Sequence, residues 1–184
     1  MAGKTWMRWV KIAAVAAACV AAPGIAAAAA CALPSAVEDL GALRLADRGS
    51  ACLAKGEQGK AGRLFYAQVI RARALAGIDP DPKGWTASAK AVQDQLGAPV
   101  NRWLGGDVDE WMAAIQWALE WDAAAPWSEG RLAAIGHEEQ LAASRAASRR
   151  ALDKLARDLA GLDRERFKKT RQAAGLGYRG APKN

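Results

Sequence analysis

Residues 107–126 read DVDEWMAAIQWALEWDAAAP and carry the marks of a helix at both ends. Asp107 offers an oxygen to the first free amides, Asp109 and Glu110 put negative charge in the first turn, and Pro126 stops the run. A helix over 108–125 is predicted. With Trp111 at 0° and 100° per residue, Ile115 lies at about 40°, Leu119 at about 80° and Met112 at about 100°, whereas Trp117 and Trp121 fall at about 240° and 280°. The apolar arc covers more than half the circumference, too wide for one neighbour. This stretch is therefore either the central helix of a bundle, with Trp111, Ile115 and Leu119 buried together, or a helix whose second face, Trp117 and Trp121, meets a partner. Trp103 and Trp127 complete a group of five tryptophans, for which stacking on glycan sugars is a third reading.

The rest of the chain agrees with a helical reading. It has 184 residues, the size of one domain. Alanine accounts for 46 of them, while Val, Ile and Thr total 17, six of which fall in the first 30 residues. That leaves too few β-branched residues for a sandwich, barrel or buried parallel sheet. The expected class is all-α: a small bundle of antiparallel hairpins with a long C-terminal amphipathic helix. Charged residues at 24% and a mean hydropathy of −0.11 exclude a polytopic membrane protein and a highly charged disordered chain.

Upstream, Ser35 and Glu38 have capping-box spacing, so a helix is expected from about Ala36 to Lys55, with Val37, Leu40 and Leu43 on one face. A turn at 56–59 leads to a second helix over 60–76 with the stripe Phe65, Val69, Ala72 and Ala76. Thr86 or Ser88 caps a third helix to about Leu96, ended by Gly97 and Pro99, and a short helix follows over 99–104. Leu45, Gly49, Ala61 and Phe65 have spacings that resemble a tetratricopeptide or Sel1-type hairpin across residues 42–76. Cys52 stands where that pattern has a large aromatic, and no second copy follows. The resemblance implies at most a protein-binding scaffold.

Lys4, Arg8 and Lys11 precede an uncharged run from Ile12 to Val37, broken by Pro23-Gly24 and closed by Ala28-Ala29-Ala30. That layout is expected for a signal peptide over residues 1–30 and an exported, periplasmic protein, with an uncleaved anchor as the alternative. Cys31 follows directly. It is open to lipidation, to a disulfide with Cys52, or to neither, the two being unrelated thiols. The mature chain then divides into a helical body over 31–127, a basic helix from Ser128 to about 171 within a segment 128–172, and a flexible tail over 173–184. Residues 31–130 hold 10 basic and 13 acidic residues, a net of −3, whereas 131–184 hold 13 basic and 6 acidic, a net of +7. Leu152, Leu155, Leu159 and Leu162 form a short heptad seam, which Ser148 and Arg145 extend backward.

Chemistry has few candidates. His137 is the only histidine and sits in a polar run. The chain has no G-x-S-x-G, H-E-x-x-H, C-x-x-C or glycine-rich phosphate loop, so catalysis would rest on carboxylates, with Asp109 and Glu110 the best pair. No catalytic residue, metal or cofactor is expected. The favoured function is a non-enzymatic protein-binding module for an acidic partner, such as an immunity protein that occupies a secreted toxin. The alternatives are an envelope hydrolase using Asp109 and Glu110, and a structural envelope protein or lipoprotein anchored through Cys31. Trp117, Trp121, Arg164, Arg166, Lys168 and Lys169 are the candidate partner contacts. Export argues against nucleic acid, while contact with an anionic membrane face stays open.

Overall fold

A computed structural model describes residues 31–78, 80–81 and 84–179, so the signal-peptide reading of residues 1–30 lies outside it. Every regular element among them is helical. The order is α1 (Ala42–Ala54), α2 (Gln58–Ala76), α3 (Trp85–Val92), a π-helical segment (Gln93–Gly97), α4 (Ala98–Leu104), α5 (Val108–Ala124), α6 (Ser128–Ala133), α7 (Glu138–Ala160) and α8 (Arg164–Ala173). The chain is an all-α bundle.

The centre of the bundle is α2, which packs against α1, α3, α5 and α7. Its buried residues run almost round the helix, from Ala61 through Phe65, Gln68 and Arg71 to Leu75. The expectation that α5 is central is corrected accordingly. In α5, Ile115 is fully buried, but Trp111 and Leu119 are half-buried at the rim of the core. The charged and amide side chains of α2 disguise its position, because Gln68 and Arg71 read as a solvent face yet are buried.

The α1–α2 hairpin turns through residues 55–57. Gly49 makes it tight, since a Cβ there would lie 2.9 Å from Leu96 Cδ2 and 3.7 Å from Leu64 Cβ. α1 begins six residues later than the capping box suggests. The Ser35 amide does donate to Glu38 Oε1 at 3.0 Å, but this closes an isolated turn. Residues 31–41 instead run as an irregular strap whose carbonyls serve other helices: Trp121 Nε1 donates to Ser35 O at 2.9 Å, and Arg71 donates to Leu40 O. Of the expected face, Leu40 is buried while Val37 and Leu43 are exposed; Leu45, Ala46, Gly49 and Cys52 form the buried face. The start of α1 is capped from outside, by Glu129 Oε2 accepting from Ala42 N at 2.8 Å.

α3 takes its cap from Asp81, whose carboxylate accepts from Trp85 N at 2.8 Å and Thr86 N at 3.0 Å, rather than from Thr86 or Ser88. Gly97 and Pro99 do not end the helical run. The π segment takes in Gly97, and Pro99 falls in the first turn of α4, where its missing N–H is harmless.

α5 starts as its sequence dictates, with Asp107 Oδ1 accepting from Asp109 N at 3.1 Å and Glu110 N at 3.2 Å. Downstream, the expected single helix to about 171 is interrupted twice. Gly136 takes φ +80°, and Asp163 caps a new helix by accepting from Arg166 N at 3.0 Å. The long amphipathic helix is the 23-residue α7. Its seam packs inward, with Leu152 and Leu159 buried and Leu155 half-buried; Leu162, just past the helix end, is half-buried too. The described part of the tail, to residue 179, is docked: the Arg179 guanidinium lies 3.7 Å from the Trp103 ring centroid and donates to Trp103 O at 2.7 Å. No described helix is long and apolar enough to cross a membrane.

Candidate binding surfaces

Asp122, near the C-terminal end of α5 and fully buried, accepts from three arginines. Its Oδ1 accepts from Arg71 Nε at 3.3 Å; its Oδ2 accepts from Arg145 Nε at 3.1 Å and Arg149 Nη1 at 2.8 Å. Arg71 is itself fully buried. Its remaining donors go to Leu40 O, Ala125 O at 3.3 Å and Pro126 O at 3.2 Å, and its guanidinium stands 4.4 Å from the Trp121 ring centroid and 5.4 Å from that of Trp127. Burial presses the Arg71 guanidinium downward in pKa and Asp122 opposes it; an arginine so placed keeps its charge. Three cations on one carboxylate leave the hub positive, while the carbonyl and ring contacts satisfy the spare donors. The hub joins the strap, α2, α5 and α7.

The carboxylates nominated for chemistry are engaged structurally. Asp107 is the cap of α5, Glu110 pairs with Arg63 at 3.2 Å, and Asp109 is held by both terminal nitrogens of Arg164 at 2.6 and 2.7 Å. The Asp109 hydrogen bonds are also what raise the Arg164 pKa. His137 precedes α7 as its first flanking residue.

Of the nominated partner contacts, Trp121 is 4% exposed, stacked on Trp117 with centroids 6.0 Å apart, and belongs to the core rather than to a surface. Trp117 is half-buried against the same core. Arg164 is committed to Asp109, and Lys168 is half-buried. Arg166 and Lys169 are exposed on α8. Cys31 and Cys52 are both buried and form a disulfide. The sulfur of Cys31 is thereby occupied, and a thioether to lipid on that atom is incompatible with this bond.

A groove that the sequence did not reveal crosses α2. One part, of about 190 Å³, is lined by Gln68, Ala72, Ala89 and Lys90; the adjoining part, of about 210 Å³, is lined by Phe65, Tyr66, Asn101, Trp111 and Leu155. Val69, Arg73 and Gln93 line both. At the second end, Trp111 Nε1 donates to the Tyr66 hydroxyl at 2.5 Å, which in turn donates to Asn101 Oδ1 at 3.0 Å. Burial pushes the Tyr66 phenol up to about 12. The signal available in the sequence was the pairing of Gly97 with Pro99, which marks the irregular turn that brings Gln93 to the groove wall.

No protein-family model matches the chain, and no curated protein or solved structure is significantly similar to it.

Proposed function

We propose that the chain is an exported, non-catalytic binding module whose partner is an acidic protein. The observation that carries this reading is the charge of residues 131–184, with 13 basic against 6 acidic residues and a net of +7. The carboxylates suited to chemistry are held by arginines or used as a cap, whereas the exposed Arg150 of α7 and Arg166 and Lys169 of α8 have no carboxylate partner among the described residues. Basic side chains left over on a folded surface steer an acidic partner and anchor it. The Cys31–Cys52 disulfide supports an oxidising compartment, in keeping with the leader-like pattern of residues 1–30. An immunity protein that occupies a secreted toxin is one form such a module takes.

The test is capture of partners by the mature, disulfide-bonded chain from envelope extract, followed by binding measurements over a salt series. Association with an acidic protein is expected to slow as ionic strength rises past physiological values and to weaken when Arg166 and Lys169 are both changed to Glu. Partner binding that is indifferent to both salt and charge reversal overturns the reading. So does binding of the chain to anionic phospholipid vesicles in preference to any protein. Hydrolysis of envelope glycan or lipid that is lost on Asp109→Asn establishes the enzyme instead.

A further inference from the structure

The groove across α2 carries a feature that a packing defect does not. Gln68 is 2% exposed, yet its carboxamide lines the groove and has no hydrogen-bond partner among the described residues. Its polar atoms are not among the buried ones left without a partner, so they open onto the groove, where a ligand that supplies the complement takes the place of water. Arg73 stands beside it, exposed, lining both halves of the groove and free of any carboxylate partner among the described residues. Lys90, the other cation there, is already paired with Asp94 at 2.5 Å. The opposite wall is the π segment, which presents Gln93; such π insertions recur at functional sites because they turn side chains out of helical register. Beyond Arg73 the floor becomes apolar, with Phe65, Trp111 and Leu155.

We propose that this groove binds a short extended peptide segment of the partner. Its acidic side chain pairs with Arg73, its backbone amide is read by Gln68 and Gln93, and a large apolar side chain enters the Phe65–Trp111–Leu155 end. The chemistry is that of a peptide rather than of a free anion, because one cation is flanked by two carboxamides and an apolar end. The two parts together have the size of a small ligand site. This inference rests on the reading of the chain as an acidic-protein binder and specifies where that protein is read.

The experiment uses the full mature chain, labelled with 15N, and three capped peptides: Asp-Gly-Phe-Gly, its Asn-Gly-Phe-Gly analogue and Asp-Gly-Gly-Gly. The first is expected to shift the Gln68 and Gln93 side-chain amides and the Trp111 indole N–H saturably, and each of the other two to bind at least tenfold more weakly. Arg73→Met, at an exposed position that leaves the core untouched, is expected to weaken the first peptide tenfold or more; Gln68→Leu fills the same space without polar atoms and is expected to do the same. Absence of a saturable shift at millimolar peptide overturns the proposal, as does equal binding of the Asp and Asn peptides or indifference to Arg73→Met. A partner that binds through Arg166 and Lys169 while the groove resonances stay unmoved removes the groove and leaves the broader reading intact. Groove binding of the peptide by a chain that captures no acidic protein keeps the groove and removes that reading.

Discussion

Arginine meets aspartate at both ends of α5, and the two contacts obey different physics. At the start of the helix, Arg164 holds Asp109 in a bidentate pair whose side chains are 14% and 53% exposed. At its end, Asp122 is fully buried among Arg71, Arg145 and Arg149. The helix field favours a carboxylate at the first position and opposes one at the second. Asp109 would be content in water; Asp122 is tolerable only because three guanidinium groups surround it. One contact is an accessory of the surface and the other is a condition of the core. Four segments meet at the second, whereas the first joins α5 to α8, with Tyr178 of the tail also acting on Arg164.

The comparison predicts its largest effect at Asp122. Asp122→Ala leaves Arg71 buried without a counter-charge and is expected to cost about 3–5 kcal/mol, read as a lower urea midpoint at unchanged slope. Asp122→Asn, which keeps the shape, is expected to lose most of the same amount. A loss under about 1 kcal/mol in Asp122→Ala would mean that the hub is no more demanding than the surface pair.

Next in size is the covalent tie. Cys31 and Cys52 are 21 positions apart, and closing a loop of that length stabilises a domain by about 3 kcal/mol. Because Cys31 anchors the strap whose Leu40 carbonyl binds Arg71, reduction is expected to lower stability by that amount and to loosen the hub while leaving the Arg164–Asp109 contact in place. Amide exchange before and after reduction checks it: protection should fall in 31–41 and at the C-terminal end of α5, but not in α8.

Tyr66 provides a third contrast, at a buried group that is neutral rather than charged. Its phenol ionises at about 12 in the folded chain because burial disfavours the anion, against about 10 for an exposed tyrosine. The folded state therefore holds the proton longer. The contribution is fully present below pH 10 and is lost as pH rises toward 12, amounting to about 2.7 kcal/mol. Tyr66→Phe is expected to remove that alkaline loss, and with it the absorbance step of the late-titrating phenol.

These regions also differ in how plainly the sequence announces them. The start of α5 was legible because Asp107, Asp109 and Glu110 act on the nearest amides, within one turn. The all-α class was legible for a similar reason, since propensity is a local property. The hub was not, because its members lie on α2, α5 and α7 and nothing local links Arg71 to Asp122. Yet a trace existed. On the helical wheel of α5, Asp122 falls at about 20°, between Trp111 and Ile115, where no solvated carboxylate belongs. Arg145 and Ser148 extend the leucine seam of α7 in the same way, as polar residues on an apolar line. A charge inside an apolar arc was the signal, and it has meaning only when paired with a second one elsewhere. The late start of α1 was hidden for a related reason: Glu129, more than 80 positions away, supplies its cap.

The smallest effect is expected at Arg164. An exposed ion pair gains little because water competes for both partners and holding long side chains fixed opposes it, so such pairs contribute about 1 kcal/mol or less. Its bidentate geometry puts Arg164–Asp109 toward the upper end of that range. Arg164→Ala should therefore lower stability by about 1 kcal/mol at physiological salt and by clearly less at 1 M, where screening acts over about 3 Å. The Asp122 variants should show no such salt dependence, because solvent ions do not reach a fully buried carboxylate. A double-mutant cycle completes the argument. Coupling between Arg164 and Asp109 should fade with salt, whereas coupling between Arg71 and Asp122 should persist. If both couplings fade together, water reaches the hub, and the two ends of α5 are electrostatically alike.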